Sequence, residues 1–346
     1  MGSTVIFREK PRTACIVGAG RMGEIHEQAL AKLGIKLVAV ADKDTTRATA
    51  IARKSKGAKV HADMVTMFKR CQPELVVVST TAPSRFSIGV KAIEQGTLYL
   101  MMEKPMATSV GNAQQLLELC EQRGVSLAVN HQSRFLKRYR YLKDLVGSED
   151  FGSLVNMHVS GSHFGLAMNG IHYIEIFLWL TGSPVEAVSA NVTRDKSPNP
   201  RGVEFSDYSG SLSAFSSDGS LLTIDCADRA GHGVLIVLTF EFGKVVLNDL
   251  TGEIWTWSRV AKDRVFPSNR YGSQTVRSDS VLEGESLLEG TLLVYEAMFG
   301  NGSDRPASYS AVEAVRVLAA AIESSNCSGS QISPANVSTH LSYAWA

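Results

Sequence analysis

The chain has 346 residues, 44% of them hydrophobic and 20% charged, and its 35 Lys and Arg against 34 Asp and Glu give a formal net charge of +1. That balance, with no basic block, excludes nucleic acid and an anionic membrane as expected partners, and the length allows two separate cores. The five cysteines (Cys15, Cys71, Cys120, Cys226 and Cys327) are scattered without a C-x-x-C pair. They read as free thiols of a reducing, cytoplasmic compartment, with no disulfide framework and no metal.

Residues 14–17 are small and apolar and read as a buried parallel strand. They run into Gly18-Ala19-Gly20-Arg21-Met22-Gly23, a G-x-G-x-x-G turn that opens a helix. Gly18 permits the tight turn, Gly20 lets backbone approach a pyrophosphate, and Gly23 lets the helix pack closely on the strand. The helix start, with Arg21 and Met22 in its first turn, turns free N–H groups and a positive dipole end towards that phosphate. A second strand over 36–41 ends in Asp42, placed to accept hydrogen bonds from the adenosine ribose. A carboxylate there repels a 2′-phosphate, so NAD is expected ahead of NADP, although Lys43 and Arg47 stand nearby.

Helices over 46–56 and 64–70 flank a short strand at 58–61. The β-branched run 75–78 reads as a central parallel strand and opens into Ser79-Thr80-Thr81-Ala82-Pro83, at the edge where open α/β sheets bind ligands. Thr80 and Thr81 are assigned to the cofactor. A helix over 85–95, a strand over 98–102, a helix over 110–123 and a strand over 126–129 complete six strands alternating with helices, a doubly wound parallel sheet. The fifth strand ends in Glu103-Lys104-Pro105. Proline after Lys104 biases it towards an extended conformation at the sheet edge. There its ammonium could hydrogen-bond a substrate oxygen and stabilise developing negative charge; a surface lysine beside a turn is the alternative.

A helix over 134–146 leads out of this half, and 154–161 alternates as a strand. Residues 171–180 are apolar at helical spacing, closed by Gly182 and Pro184, and read as a buried helix with His172 in its first turn and Glu175 on the same face. An imidazole titrating near neutrality suits taking a proton from a hydroxyl. From 185 the chain turns β-rich, with strands over 185–193, 208–215, 221–226, 234–240, 244–247 and 254–258. This is an α+β arrangement with a large, mainly antiparallel sheet. Trp255 and Trp257 share a face of one strand. Residues 194–201 and 261–280 read as loops, 287–298 and 311–323 as helices, and the segment after 326 as a loosely held tail.

The glycine motif, Asp42, Glu103-Lys104-Pro105 and Gly170-Ile171-His172-Tyr173-Ile174-Glu175 together resemble the glucose–fructose oxidoreductase / inositol dehydrogenase / MocA family. The resemblance covers nearly the whole chain. It implies a Rossmann domain over 1–131, an α+β substrate and oligomerisation domain over 132–346, and hydride transfer between NAD(P) and a carbohydrate hydroxyl or ketone. It places Lys104 at both nicotinamide ribose and substrate, with Glu103 at the cofactor. It makes His172 the general acid/base and sets Arg134, Asn169 and Tyr173 at the substrate; a salt-bridged linker arginine is the alternative for Arg134. His163 is a secondary candidate. Many members carry aspartate four residues before the histidine, where this chain has Met168. That departure and the short 161–170 segment favour a sugar, amino-sugar or sugar-nucleotide. The resemblance also implies a homodimer or homotetramer through the large sheet. An NAD-dependent glycoside hydrolase and an NAD(P)-sensing regulator are the alternatives within the family.

Overall fold

The computed structural model describes residues 9–162, 164–194, 199, 202–227, 230–266, 274–300 and 306–345. Six strands of the first half, β1 (Thr13–Val17), β2 (Lys36–Ala41), β3 (Lys59–His61), β4 (Leu75–Val78), β5 (Tyr99–Met102) and β6 (Ser126–Val129), form one sheet in the order β3-β2-β1-β4-β5-β6. Every pairing in it is parallel. Such a sheet is covered on both faces, which is why β4 and β5 are buried at every position and carry no polar alternation. The covering helices are α1 (Arg21–Lys32), α2 (Thr45–Lys54), α3 (Met64–Arg70), α4 (Ala82–Glu94) and α5 (Val110–Arg123). Helix α4 begins three residues before the sequence suggests, because Pro83 sits in its first turn, where no intrahelical N–H is needed. The strand order reverses between β1 and β4, so their carboxyl ends open the crevice where ligands of such sheets bind.

The chain leaves this sheet through a 3₁₀ turn (Gln132–Phe135) and α6 (Lys137–Leu145), two pieces where the sequence suggests one helix. It then builds a second sheet from β7 (Leu154–Ser162), β8 (Val185–Arg194), β9 (Tyr208–Ser216), β10 (Leu221–Ala227), β11 (Leu235–Phe240), β12 (Gly243–Asn248), β13 (Glu253–Arg259) and β14 (Thr275–Val281). Their order is β14-β13-β12-β11-β7-β10-β9-β8, and only β7 with β10 is parallel. One face packs on α7 (Ile171–Thr181) and α9 (Tyr309–Asn326), while α8 (Leu287–Phe299) crosses back onto α1. Strand β14 lies inside a stretch the sequence reads as loop. It is an edge strand exposed at every position, so it has no buried face to leave an alternating pattern.

The tail also departs from expectation. Tyr343 N donates to Thr108 O (2.9 Å), Gly111 N donates to Thr339 O (3.0 Å), and the fully buried Trp345 donates from Nε1 to Ala107 O (3.0 Å). Tyr343 stacks on Trp345 with ring centroids 4.6 Å apart. The segment after Asn326 is therefore docked, not loose. Among the described residues no helix is long and apolar enough to cross a membrane, and no His, Cys, Asp and Glu group could hold a metal ion.

Candidate active site at the carboxyl edge of the parallel sheet

The glycine turn is built by close approach. Gly18 has φ of +100°, and a Cβ there would stand 2.6 Å from Thr80 N in the loop leaving β4. A Cβ on Gly23 would stand 2.3 Å from Gly18 O, so α1 rests directly on the turn. Gly20, the N-cap of α1, is different: nothing lies within 4 Å of its Cβ position. The protein thus leaves open space at the end of a 12-residue helix whose first N–H groups have no intrahelical partner. Asp42 braces the turn, its carboxylate accepting from Ala19 N (2.5 Å) and Asp44 N (2.8 Å). A carboxylate has further acceptor capacity beyond those two bonds. Ser79, which no motif singled out, donates to Gly18 O (2.7 Å) and pins the turn from the other side. The Thr80 hydroxyl accepts from Ser84 Oγ (2.9 Å), and Thr81 is the residue before α4. Arg21 is exposed and Met22 half-buried beside Gly20. An open cradle at a helix start, flanked by a carboxylate, fits a dinucleotide.

Glu103, expected at the cofactor, has its carboxylate buried among polar side chains. It is 4% exposed, and its Oε1 accepts from Asn130 Nδ2 (2.8 Å) and faces His26 Nε2 (3.1 Å). Burial alone would raise this carboxyl, but the His26 and Asn130 hydrogen bonds and the nearby Arg85 charge hold it down at about 2. Lys104 follows, 9% exposed, with a cis peptide bond to Pro105. Its Nζ donates to the Met168 carbonyl, so the ammonium of the first half is tied to the turn that carries His172.

That turn, Gly165–Gly170, is π-helical and runs straight into α7. Its free N–H groups are met by Asp207, which accepts from Ala167 N (2.7 Å) and Met168 N (2.9 Å). Gly165 sits at φ of +67°, in the left-handed region that favours glycine, close against the Asp207 carboxylate. His172 emerges with its Nδ1 buried and without a hydrogen-bond partner, its ring edge-to-face with His131 at 5.2 Å. Burial, then the Lys104 charge, then His131 push the His172 imidazole well below its ordinary range. His131 is pushed down to about 3 by burial and by the Lys104 and Arg134 charges.

His172, Asn169 and Tyr173 line one cavity of about 210 Å³, together with Arg138, Asp249 and Glu285. Asp249, in the turn after β12, accepts from Tyr139 Oη (2.8 Å) and Tyr173 Oη (3.1 Å) and pairs with Arg138 Nε (3.1 Å). Nothing in the sequence pointed to Asp249, Asp207 or Arg138, which stand in no motif. Asn169 donates to Phe164 O (2.8 Å). Lys104 and Arg134 stand off the cavity lining. Arg134 is held in an internal ion pair with the fully buried Glu175, which also accepts from Ser310 Oγ (2.9 Å). Glu175 therefore serves Arg134 and has no bond to His172, although both lie on α7. His163 lies outside the described residues.

Residues 12–131 match the model of the GFO_IDH_MocA group, described as an oxidoreductase family with an NAD-binding Rossmann fold. This match gives residues 12–131 the NAD-binding Rossmann fold of the Gfo/Idh/MocA oxidoreductase family. The cradle at Gly20 and Asp42 lies within the matched residues, in keeping with an NAD-binding fold. Inositol 2-dehydrogenase 2 of Saccharopolyspora erythraea is 26% identical over 251 residues, spanning 67% of this chain and 72% of that one. Among solved structures, GenD2 from gentamicin A biosynthesis, in complex with NAD, superposes with a TM-score of 0.73 at 20% identity, covering 96% of this chain and 99% of GenD2. The WlbA dehydrogenase of Bordetella pertussis, with NADH and UDP-GlcNAcA, gives 0.69 at 18% identity over 94% and 99% of the two chains. The two superpositions speak to fold alone.

Proposed function

We propose that this oxidoreductase acts on a secondary hydroxyl of a sugar or cyclic polyol, or on the corresponding ketone, with Lys104 and His172 as its catalytic residues. The reading is carried by one observation: Lys104 Nζ bonds the Met168 carbonyl, in the turn from which His172 opens onto a polar cavity. Gly18, Gly20, Gly23 and Asp42, with Arg21, Met22, Thr80 and Thr81 around them, hold NAD, which supplies a two-electron acceptor when bound. Lys104 donates to the substrate oxygen and favours its anionic form. His172, kept uncharged at neutral pH by burial and the Lys104 charge, takes the hydroxyl proton. Asn169 and Tyr173 hold the ring. The cavity is smaller than the roughly 300–1,000 Å³ of sites for drug-sized ligands, which suits a single polyol ring. The relatives named as inositol 2-dehydrogenases support the same substrate class.

The open face of the large sheet, with Val155 and Phe215 exposed and Trp255 and Trp257 partly so, is read as the contact with a second copy in a dimer or tetramer. The decisive experiment is Lys104→Ala, assayed with NAD and myo-inositol, D-glucose and D-glucosamine. The expected result is a loss of about 100-fold or more in kcat/KM with NAD affinity within about threefold of wild type. Undiminished turnover in the variant would remove Lys104 from the mechanism.

A further inference from the structure

Behind Lys104 runs a buried polar chain that no step above uses. Tyr295 Oη, on α8, stands 2.9 Å from His26 Nδ1 on α1, and His26 Nε2 stands 3.1 Å from Glu103 Oε1. Asn130 Nδ2, at the end of β6, donates to the same Oε1 at 2.8 Å and reaches Thr291 Oγ1 on α8 at 3.4 Å. His26 and Tyr295 are 0% exposed, and their rings meet edge-to-face at 5.6 Å. A carboxylate in such a place accepts hydrogen bonds only, so His26 Nε2 carries the proton and donates.

The backbone around Lys104 is fixed at both ends. Glu103 N donates to Val78 O (3.0 Å), and Pro105 O accepts from the Arg85 guanidinium. The carboxylate between these anchors can neither rotate to water nor lose a donor cheaply, because an unpaired buried charge is strongly unfavourable. Residue 104 therefore has little freedom of its own: its neighbours are held by α1, β4, β6 and α4, and its ammonium by the turn before α7. None of the side chains in this chain touches the cavity.

We propose that His26 is a positioning residue for Lys104, acting through Glu103 and held in register by Tyr295 of α8. The proposal rests on the catalytic reading of Lys104 given above. Through it the helix that presents the cofactor cradle and the helix that returns from the second half both set where the ammonium points.

Competitive acetylation of the full-length protein, with lysine modification read by mass spectrometry, tests this without any substrate. In His26→Leu the modification rate of Lys104 should rise about fivefold, through local opening around Glu103, while Lys91 and Lys143 react as in wild type. His26→Gln, whose amide can donate to Glu103 from nearly the same place, should restore the wild-type rate. Tyr295→Phe keeps the ring and removes one hydroxyl, so it serves if His26→Leu does not fold; a rise of about twofold at Lys104 alone is expected there. An unchanged Lys104 rate in folded His26→Leu or in Tyr295→Phe would overturn the proposal. A rise shared by all lysines would do the same, since it marks general loosening. These results stand apart from turnover: an active Lys104→Ala would sink the catalytic reading and leave the positioning result intact.

Discussion

His131 and His172 meet at 5.2 Å beside the Lys104 ammonium, and burial keeps both imidazoles uncharged in the fold. The consequence for stability has a definite sign. An unfolded histidine takes up a proton below about pH 6.5, whereas folded His131 refuses one until about pH 3. The unfolded chain therefore binds more protons in that window, and stability falls as pH drops from about 6.5 towards 3. Each such histidine costs about 1.4 kcal/mol per pH unit once the window is entered. Glu103, held at about 2, adds a loss of the same sign below about pH 4.5. His131→Phe, which preserves the edge-to-face contact, should flatten the pH dependence by one proton's worth. Urea unfolding at pH 7.0 and 5.5 checks it, and equal differences in wild type and variant would contradict the assignment of the buried neutral state.

The glycine turn and α1 separate, at the scale of an element, what a fold requires from what a cofactor requires. A methyl on Gly23 meets Gly18 O, a backbone atom that cannot yield, so Gly23→Ala should cost about 3 kcal/mol of stability. A methyl on Gly20 meets nothing, and its φ of −78° suits alanine, so Gly20→Ala should leave the melting temperature unchanged. The same methyl occupies the approach to the helix start, and NAD affinity measured by fluorescence titration should fall about tenfold or more. Equal loss of stability in the two variants would contradict this division. Helix α7 carries the other element-scale expectation. Glu175→Leu removes the buried carboxylate that the Arg134 guanidinium, 11% exposed, faces, and breaking this pair should cost about 3–5 kcal/mol in denaturant unfolding.

Across the whole molecule, segments far apart in the chain tie the two sheets together. Helix α8 returns to α1 through Tyr295 and His26, and the C-terminal segment returns to the start of α5 through Tyr343 and Trp345. Trp345 is fully buried and makes its indole hydrogen bond to residue 107, next to the Glu103-Lys104-Pro105 element in the chain. Removing residues 339–346 should therefore destabilise the first half of the chain, by about 3–5 kcal/mol on the scale of a buried tryptophan. Hydrogen exchange would show the loss at α5 and the end of β5; exchange that changes only in the second half would contradict the coupling.

What the sequence determined by itself was local. Six strands, their crossover helices, the glycine turn and Asp42 at the end of β2 follow from apolar runs, turn residues and spacings of a few positions, all of which act between chain neighbours. The family resemblance rested on the same short motifs. Only tertiary structure decided which polar groups meet. Asp249 receives Tyr173 across 76 residues, Tyr295 reaches His26 across 269, and Lys104 finds Met168 across 64. Such pairs carry no periodicity, because a buried charge requires a partner in space and leaves the partner's place in the chain free. The same freedom hid the inward turn of Glu103 and the Arg134–Glu175 pair. The docked tail stayed illegible for the related reason that its contacts lie with distant segments, and the edge strand β14 because none of its positions is buried.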